Sequence, residues 1–374
     1  MKLKLKNTPE QVELVRAMGS KDQIAAREAQ EAFAAFLGPV VQQVLLQAGT
    51  AGGIFTDAPY DEDDSPSFPL DLYYGETDNH ITVWSQNMAG GLPSSHIAGM
   101  QELKIATYRL DSAVNWLKKY ARRARLDVVS KAIERMAQEV LVKQERNAWA
   151  VIMKALAEAS TGGNVHSIQS TTANVLQVDD FNRLMTHIKR LNESFANGTP
   201  DVAYSNGITD LYLSPEMMQQ IRSWAYQPMN TRHGKVTTSG ASDIALPDNV
   251  REGIYRSAGM QEIFGVNLVE LNELGVSKKY NTLFDTYATS TDINGGGIST
   301  TTDFATGTDE SLVGVDNSKG AFIRPVAQHE ESGGQFVTFA DDQWSQRSEK
   351  VGFYGFLEEG RVCIDARAVV GITC

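Results

Sequence analysis

The sequence contains only two cysteines, Cys363 and Cys374, among 374 residues. So few thiols exclude a disulfide framework and a zinc site built from cysteines. No apolar stretch approaches the roughly 18 residues that a membrane-spanning helix requires. The basic N-terminal run, Met1–Lys6, is not followed by the apolar core of a signal peptide. We therefore expect a soluble protein that is made in the cytoplasm.

Basic residues are also scarce, with 34 Lys and Arg against 46 Asp and Glu, which gives a formal net charge of −12. This balance argues against a dedicated nucleic-acid binder, because such proteins normally carry a basic domain. Apolar residues make up 42% of the chain, enough for a real core. At about 100–200 residues per domain, the length allows two or three domains.

Motifs of catalysis and of metal binding are missing as well. No two histidines have the i, i+4 spacing of a helical metal site. Gly314–Gly320 lacks the spacing of a phosphate-binding loop, and there is no GxSxG motif. Cys363 lies in an apolar run and is expected in the core, whereas the terminal Cys374 could be reactive, although no base is paired with it. The sequence thus predicts no cofactor, no metal and no catalytic residue. The histidines are His80, His96, His166, His187, His233 and His329.

The first 50 residues are predicted to be helical. Thr8 and Pro9 are a typical N-cap and first helical residue. A second run, about 22–37, is rich in Ala, Glu and Gln and is predicted to stop at Gly38-Pro39. Its narrow apolar stripe cannot form a core alone, so we expect this part of the chain to lie along another surface.

Between 56 and 101 the chain is predicted to form a long β-excursion. Residues 57–64 contain five acids, which favours an extended, solvated segment. Strand-like runs follow at 70–74 and 80–86, and another at 102–108. The excursion has little core of its own, so we expect its aromatic side chains to pack on a neighbouring molecule. These aromatics are Phe68, Tyr73, Tyr74 and Trp84.

From Asp111 to Ala159 the sequence has neither proline nor glycine, which predicts a long helix. Apolar residues step by three and four positions from Leu126 to Val140. A new start near Asp127 is an alternative, and it would still leave a helix of roughly 50 Å at 1.5 Å per residue. A helix this long is more often a structural spine than a catalytic element. A basic cluster lies near its start: Lys118, Lys119, Arg122, Arg123 and Arg125.

The second half of the sequence is predicted to mix helices and strands. A helix is expected over 179–195, and a strand at 210–213 leads into a helix capped by Ser214. The predicted buried face of the first of these helices consists of Phe181, Leu184, Ile188 and Leu191. Residues 281–287 are predicted to form a strand because of their Thr, Phe and Tyr content. Further strands are expected over 352–372.

The order of these elements resembles that of the major capsid proteins of tailed bacteriophages, which have the Hong Kong 97-type fold. The likeness covers nearly the whole chain and is greatest to long-tailed phages, including phages of cyanobacteria. The segments that carry it are 60–74, 83–93, 125–135, 209–216 and 360–370.

The resemblance implies an α+β fold with an N-terminal arm, an extended β-loop, a long spine helix, and peripheral and axial domains. Some members of the family join subunits through an isopeptide bond from a lysine of the loop. No lysine occurs here between Lys21 and Lys104, so we expect non-covalent assembly. The implied parts are the arm at 1–55, the loop at 56–108, the peripheral domain at 109–199, the axial domain at 200–330 and a return to the peripheral domain at 331–374.

The implied function is structural and not enzymatic. The subunit is expected to assemble into pentamers and hexamers of an icosahedral phage head that encloses double-stranded DNA. Its expected partners are itself, portal, scaffold and decoration or cement proteins, and packaged DNA without sequence specificity, but no membrane. The expected location is the capsid shell of the virion, assembled in the cytoplasm of the bacterial host.

Two groups of residues are expected at contacts between subunits. One group is the loop aromatics Phe68, Tyr73, Tyr74 and Trp84. The other is a pair of oppositely charged runs, which would meet when the loop of one subunit lies beside the spine helix of the next. Alternatively, both runs simply face water. The charged residues are Asp61, Glu62 and Asp63 in one run and Lys118, Lys119 and Arg122 in the other.

Two other functions remain open on sequence alone. One is an enzyme that uses carboxylates or His187 in a cleft, which would need a convergent polar pocket. The other is a protein that coats nucleic acid through residues 118–125. The size of the purified protein separates these functions, because only a capsid subunit forms closed shells or uniform pentamers and hexamers.

Overall fold

The computed structural model describes most of the chain. The predicted strands at 70–74 and 80–86 lie outside the described residues. The described residues are 8–47, 49–61, 64–69, 102–158, 160–161, 164–172, 174–191, 207–224, 262–289, 304, 307–329, 335–341 and 349–374.

Both helices and strands are present. The helices are α1 (Pro9–Met18), α2 (Gln23–Gln47), α3 (Lys118–Arg122), α4 (Leu126–Glu158), α5 (Val178–Leu191), α6 (Pro215–Ser223) and α7 (Lys279–Thr289). The strands are β1 (Thr56–Asp61), β2 (Ser67–Pro69), β3 (Glu102–Lys104), β4 (Tyr108–Leu117), β5 (Ser160–Thr161), β6 (Asn164–Val165), β7 (Ser167–Gln169), β8 (Asp210–Leu213), β9 (Glu262–Ile263), β10 (Val266–Glu270), β11 (Ser311–Val315), β12 (Phe322–Gln328), β13 (Phe336–Asp341), β14 (Lys350–Glu359), β15 (Val362–Cys363) and β16 (Val369–Thr373).

The chain forms two compact units, each with its own sheet and its own core. Residues of α4 up to Ala148 belong to the first unit, and those from Trp149 belong to the second. The first unit comprises Met1–Phe68, Lys104–Ala148 and Ile323–Val362, and the second comprises Pro69–Leu103, Trp149–Phe322 and Cys363–Cys374.

The sheet of the first unit is centred on β14, which lies between β4 and β13 and runs antiparallel to both. The strands β4 and β14 pair along their full length of ten residues each. Strand β12 meets the end of β14, and β1 runs parallel to β12 at the edge of the sheet.

The inner face of this sheet packs against helices, and together they form the core of the unit. The ring of Phe353 on β14 lies 5.4 Å from that of Phe33 on α2 and 5.3 Å from that of Trp116 on β4. Each such side chain contributes about 1.5–3 kcal/mol through its burial. Other members of the core are Val15, Met18, Leu37, Val41, Val129, Ile133, Met136, Val140, Val351 and Leu357.

The sheet of the second unit has the strand order β7-β16-β11-β8-β10-β9. Helices α5 and α6 contribute apolar faces to its core. The predicted buried face of α5 is confirmed, and it consists of Phe181, Leu184, Ile188 and Leu191.

Some predictions that rest on local signals are confirmed, although Thr8 precedes α1 without a capping hydrogen bond from its side chain. Ser214 caps α6, because its Oγ accepts a hydrogen bond from the N–H of Met217 at 3.1 Å, and Pro215 is the first helical residue. The strands expected at the C-terminal end are present as β14, β15 and β16.

The prediction of a helix from Asp111 is wrong for its first part, because residues 111–117 belong to β4. The absence of proline and glycine suits a strand as well as a helix. The burial of the side chains distinguishes the two structures. Leu110 and Trp116 are buried whereas Asp111 and Leu117 are exposed, so exposure alternates from one residue to the next, as it does in a strand. The long helix begins at Leu126, as the alternative start near Asp127 predicted.

The predicted stop of the second helix at Gly38-Pro39 is also wrong, since α2 continues to Gln47. Proline removes one backbone hydrogen bond and bends a helix. The buried stripe nevertheless continues across this point, because Phe33, Leu37 and Val41 are buried at intervals of four residues. Packing of this stripe outweighs the local signal.

The predicted strand at 281–287 is a helix, α7. Tyr280 and Phe284 are both buried, four residues apart, so this segment follows the helical period. Its β-branched and aromatic content misled the prediction, because strand propensity is weaker than the packing context.

None of the helices in the described part of the chain is long and apolar enough to cross a membrane.

Candidate intersubunit surfaces

The structure describes half of the residues predicted at subunit contacts. Phe68, Asp61, Lys118, Lys119 and Arg122 are described, and all five belong to the first unit. The others lie outside the described residues: Glu62, Asp63, Tyr73, Tyr74 and Trp84.

Phe68 lies at the base of the predicted loop. Its strand β2 pairs with β3, and the N–H of Ile105 donates to the carbonyl of Pro66 at 3.1 Å. The side chain of Phe68 is only half-buried. The residues that flank the segment 70–101 are therefore held beside each other.

Asp61 is the exposed last residue of the edge strand β1. Its side chain has no ion-pair partner among the described residues, so it does not meet the basic cluster within the chain. Asp57, on the same strand, has a partner, because its Oδ1 lies 3.2 Å from Nη1 of Arg324. The first part of the acidic run is thus extended and largely exposed, as the sequence predicted, and it is also an edge strand of the sheet.

The basic cluster lies on α3 and the turn that follows it. Arg122 donates from Nε to the carbonyl of Gly19 at 2.7 Å, which ties α3 to the end of α1. The ammonium group of Lys119 lies 5.2 Å from the ring of Tyr120. Lys119 and Arg122 are exposed, whereas Lys118 is half-buried. This surface carries a dense positive charge on an otherwise acidic chain.

Sequence reasoning missed a buried polar network around Glu359, whose side chain is fully buried. Nε of Arg324 lies 2.7 Å from Oε2 of Glu359, and Nε of Arg361 lies 3.4 Å from Oε1. Gln144 of α4 and Tyr108 of β4 also donate to this carboxylate, at 3.1 and 2.9 Å. Burial and the charge of Glu359 raise the pKa of Tyr108 to about 12. No sequence pattern reveals this network, because Tyr108, Gln144 and Arg324 lie 251, 215 and 35 residues from Glu359 in the chain.

The outer face of the same sheet is partly aromatic. The guanidinium of Arg109 lies 3.7 Å from the ring centre of Phe356 and also contacts Tyr354. Asp111 accepts from Arg109 at 2.7 Å and from the hydroxyl of Tyr354 at 3.1 Å. Phe339 stacks on Phe356 at 6.0 Å and is itself 42% exposed. Of these three aromatic residues only Phe339 is exposed, since Phe356 is buried and Tyr354 is half-buried.

The second unit has an open hollow of about 430 Å³ beside α5. His187 lines it, as the enzyme alternative required, but the one hydroxyl in its lining, that of Thr186, donates to the carbonyl of Asn182 at 2.9 Å. The hydroxyl of Thr186 therefore does not donate to His187. The lining residues are Ile168, Asp179, Asn182, Arg183, Thr186, His187 and Arg190.

Neither cysteine is an activated thiol. Cys374 is buried, and burial raises its pKa to about 12, which corrects the expectation that it could be reactive. Burial raises the pKa of Cys363 to about 12 in the same way. No group of His, Cys, Asp or Glu side chains that could hold a metal ion occurs among the described residues.

Comparison with solved structures shows that the fold is similar to that of phage capsid proteins. The capsid structure of the cyanophage P-SCSP1u is similar over 87% of this chain and 88% of that chain, with a TM-score of 0.54 and 13% sequence identity. The chain has the fold of a phage capsid subunit. Two further similar structures are the capsid of a native GTA particle and an encapsulin complex from Synechococcus elongatus.

These two are more distant. The GTA capsid has 11% identity and a TM-score of 0.48 over 86% of this chain and 88% of that chain. The encapsulin has 10% identity and a TM-score of 0.43 over 85% and 84%. A comparison with protein families finds no match, and neither does a comparison with curated proteins.

Proposed function

We propose that this protein is the major capsid protein of a tailed bacteriophage, which self-assembles into the pentamers and hexamers of an icosahedral head. The observation that carries the proposal is the likeness in fold to the P-SCSP1u capsid over 87% of the chain.

We further propose the Hong Kong 97-type division of the chain. Its parts are the arm at 1–55, the extended loop at 56–108, the peripheral domain at 109–199 and 331–374, and the axial domain at 200–330. The pairing of β2 with β3 supports the loop, because a segment that leaves and returns at one place can project as a hairpin. At roughly 3.3 Å per residue, half of 70–101 could extend about 50 Å.

Two kinds of contact between subunits would then form, one through aromatic side chains of the loop and one between oppositely charged side chains. Tyr73, Tyr74 and Trp84 would be buried against a neighbour, since a two- or three-stranded arm cannot bury several aromatics alone. The half-buried side chain of Phe68 at the base of the loop agrees with this role. The acidic residues Asp61, Glu62 and Asp63 would meet Lys118, Lys119 and Arg122 of the next subunit. The carboxylate of Asp61 is exposed and has no ion-pair partner among the described residues, which supports this contact.

The remaining partners follow from the proposed role. Portal, scaffold and decoration or cement proteins would contact the assembled shell, and DNA would be enclosed without sequence-specific contacts. The protein would be located in the capsid shell, after assembly in the cytoplasm of a bacterial host.

Analytical ultracentrifugation of the purified full chain tests the proposal. A capsid protein is expected to sediment as megadalton particles or as uniform pentamers and hexamers. A monomer or dimer with catalytic turnover would support the enzyme alternative instead. A monomer that binds DNA in a salt-sensitive manner would support the nucleic-acid-coating alternative.

A further inference from the structure

Strand β4 lies at an edge of the sheet in the first unit. Its one strand neighbour in the described part of the chain is β14. It has ten residues, about 33 Å of extended chain, and contains neither proline nor glycine. Proteins usually protect an edge with proline, bulges or several charges, because a long open edge is a template for pairing with another chain. The middle of β4, residues 112–116, has none of these protections.

The register with β14 identifies the backbone groups on this edge. The N–H of Lys118 donates to the carbonyl of Glu349 at 2.8 Å, and the register continues with Leu117 opposite Lys350. Bonded and non-bonded pairs alternate in an antiparallel ladder. Every second residue from Leu117 back to Arg109 therefore directs its N–H and C=O away from β14. These residues are Arg109, Asp111, Ala113, Asn115 and Leu117.

These edge residues are also the accessible residues of the strand. All of them are exposed, whereas the alternate residues are buried or half-buried. Across the ranges that the structure describes, no hydrogen bond reaches their backbone N–H and C=O groups. The edge thus presents a regular row of donors and acceptors with the spacing of a β-strand.

We propose that β4 pairs with β4 of a second copy, antiparallel across a two-fold axis at Ala113, so that two sheets become one. In this register Ala113 faces the partner's Ala113, and Asp111 faces the partner's Asn115. All the outward groups of one copy lie opposite outward groups of the other, and each pair exchanges both N–H···O bonds. The contact rests on the proposed function, because it is one contact between capsid subunits.

The side chains of this register complement one another. Oδ1 of Asp111 is occupied by Arg109 and Tyr354, but no described residue contacts its Oδ2. That oxygen can accept a hydrogen bond from the amide of the partner's Asn115. The small side chain of Ala113 permits close approach at the axis. No like charges lie opposite each other.

Neighbouring registers are less favourable. An axis at Asp111 would place two carboxylates opposite each other, which destabilises a strand pair. An axis at Asn115 would leave the outward groups of Arg109 and Asp111 without partners. An axis at Ser112 would leave Leu117 without a partner in the strand, and an axis at Val114 would leave Arg109 without one. Only the axis at Ala113 therefore satisfies the whole edge.

A cysteine at the axis tests the contact. In a bonded antiparallel pair the two Cα atoms are about 5.5 Å apart, which is within the range for a disulfide. Ala113→Cys should therefore form a covalent dimer of twice 41.0 kDa on a non-reducing gel after mild oxidation of the full chain. The native thiols should not interfere, since burial raises the pKa of both to about 12.

Ser112→Cys is the matched control. Ser112 is half-buried and points to the other face of the strand, and in the proposed register it lies opposite the partner's Val114. Its yield of covalent dimer should be at least tenfold lower than that of Ala113→Cys. Equal yields from the two variants would overturn the register.

Ala113→Pro tests whether the contact matters for assembly. The N–H of Ala113 points outward, so proline at this position leaves the ladder with β14 intact, and edge strands tolerate such a proline. We expect the variant to keep the melting temperature of the isolated subunit within a few degrees while it loses assembly. Normal assembly of the folded variant would overturn the contact.

The two proposals fail in different ways. If the wild type forms shells but Ala113→Cys does not cross-link, the edge contact is wrong and the capsid function stands. If Ala113→Cys cross-links strongly but the wild type never grows beyond a dimer, the edge contact stands and the capsid function is wrong.

Discussion

Nε of Arg324 lies 2.7 Å from Oε2 of Glu359, and the side chain of Glu359 is completely buried. Burial removes both ions from water, so the pair is favourable only if further hydrogen bonds satisfy the carboxylate. Gln144, Tyr108 and Arg361 supply these bonds. The network thus connects strands β4, β12 and β14 to the long helix α4 within the first unit.

Removing the carboxylate of Glu359 should strongly destabilise the first unit. Glu359→Ala removes the carboxylate that pairs with the buried Arg361 and leaves Arg324 with Asp57 as its ion-pair partner. Breaking a buried pair typically lowers the free energy of unfolding by about 3–5 kcal/mol. Urea unfolding followed by circular dichroism measures the change. The control is Glu31→Ala, which breaks the exposed pair of Glu31 with Arg27 and should lower it by less than about 1 kcal/mol. Similar losses in both variants would contradict the structural role of Glu359.

Glu310 should make stability depend on pH. Burial raises the pKa of this carboxyl above its ordinary value of 4.5, with a smaller opposing effect of the hydrogen bond from Ser214. The raised pKa means that the folded state binds the proton more tightly than the unfolded state. Stability from this group is therefore present below the unfolded pKa and is lost as pH rises through the folded pKa.

Glu310→Gln tests this pH dependence. The amide cannot ionise, and its oxygen can still accept from the hydroxyl of Ser214, which lies 2.5 Å from Glu310. The variant should melt at a higher temperature than the wild type at pH 7.5, and the difference should shrink as pH falls towards 4. A variant that is less stable than the wild type at pH 7.5 would contradict the assignment.

Trp84→Ala should leave the subunit folded but impair assembly, since the proposed loop buries Trp84 against a neighbour. Trp149→Ala is the matched control, because Trp149 is fully buried and packs on Tyr212 and Tyr280 at 5.0 and 5.2 Å. The control should lose about 3–5 kcal/mol of stability. If Trp84→Ala unfolds the isolated subunit as the control does, then Trp84 belongs to a core within the chain.

Charge reversal tests the proposed contact between the acidic and basic runs. Changing Lys118, Lys119 and Arg122 to Glu should block assembly, and changing Asp61, Glu62 and Asp63 to Lys in the same protein should restore it. Each exposed pair contributes only about 0–1 kcal/mol, so the effect depends on their number and should weaken in high salt. Assembly of the double reversal is measured by light scattering. If it is no better than that of the single reversal, the two runs do not meet.

The predictions that succeeded depend on neighbours in sequence. Ser214 and Pro215 mark a helix start by their own chemistry, and the stripe from Phe181 to Leu191 shows its period within four turns. The failures concern packing between distant segments. Residues 111–117 form a strand because β14, more than 200 residues later, provides a partner along their whole length.

The candidate contacts were less predictable than the fold. The sequence identified Asp61 as part of a charged run, but it could not show that this run begins as the edge strand β1. The open edge of β4 was hidden by the prediction of a helix at the same residues. An edge is a property of the sheet order, and sheet order depends on pairings between residues that are far apart in the chain.

Electron microscopy of the purified full chain tests the central claim most directly. Closed shells built of pentamers and hexamers, which dissociate to a single band near 41.0 kDa on a denaturing gel, are the predicted result. Monodisperse particles no larger than a dimer, at concentrations and salt conditions that keep the protein folded, would contradict it.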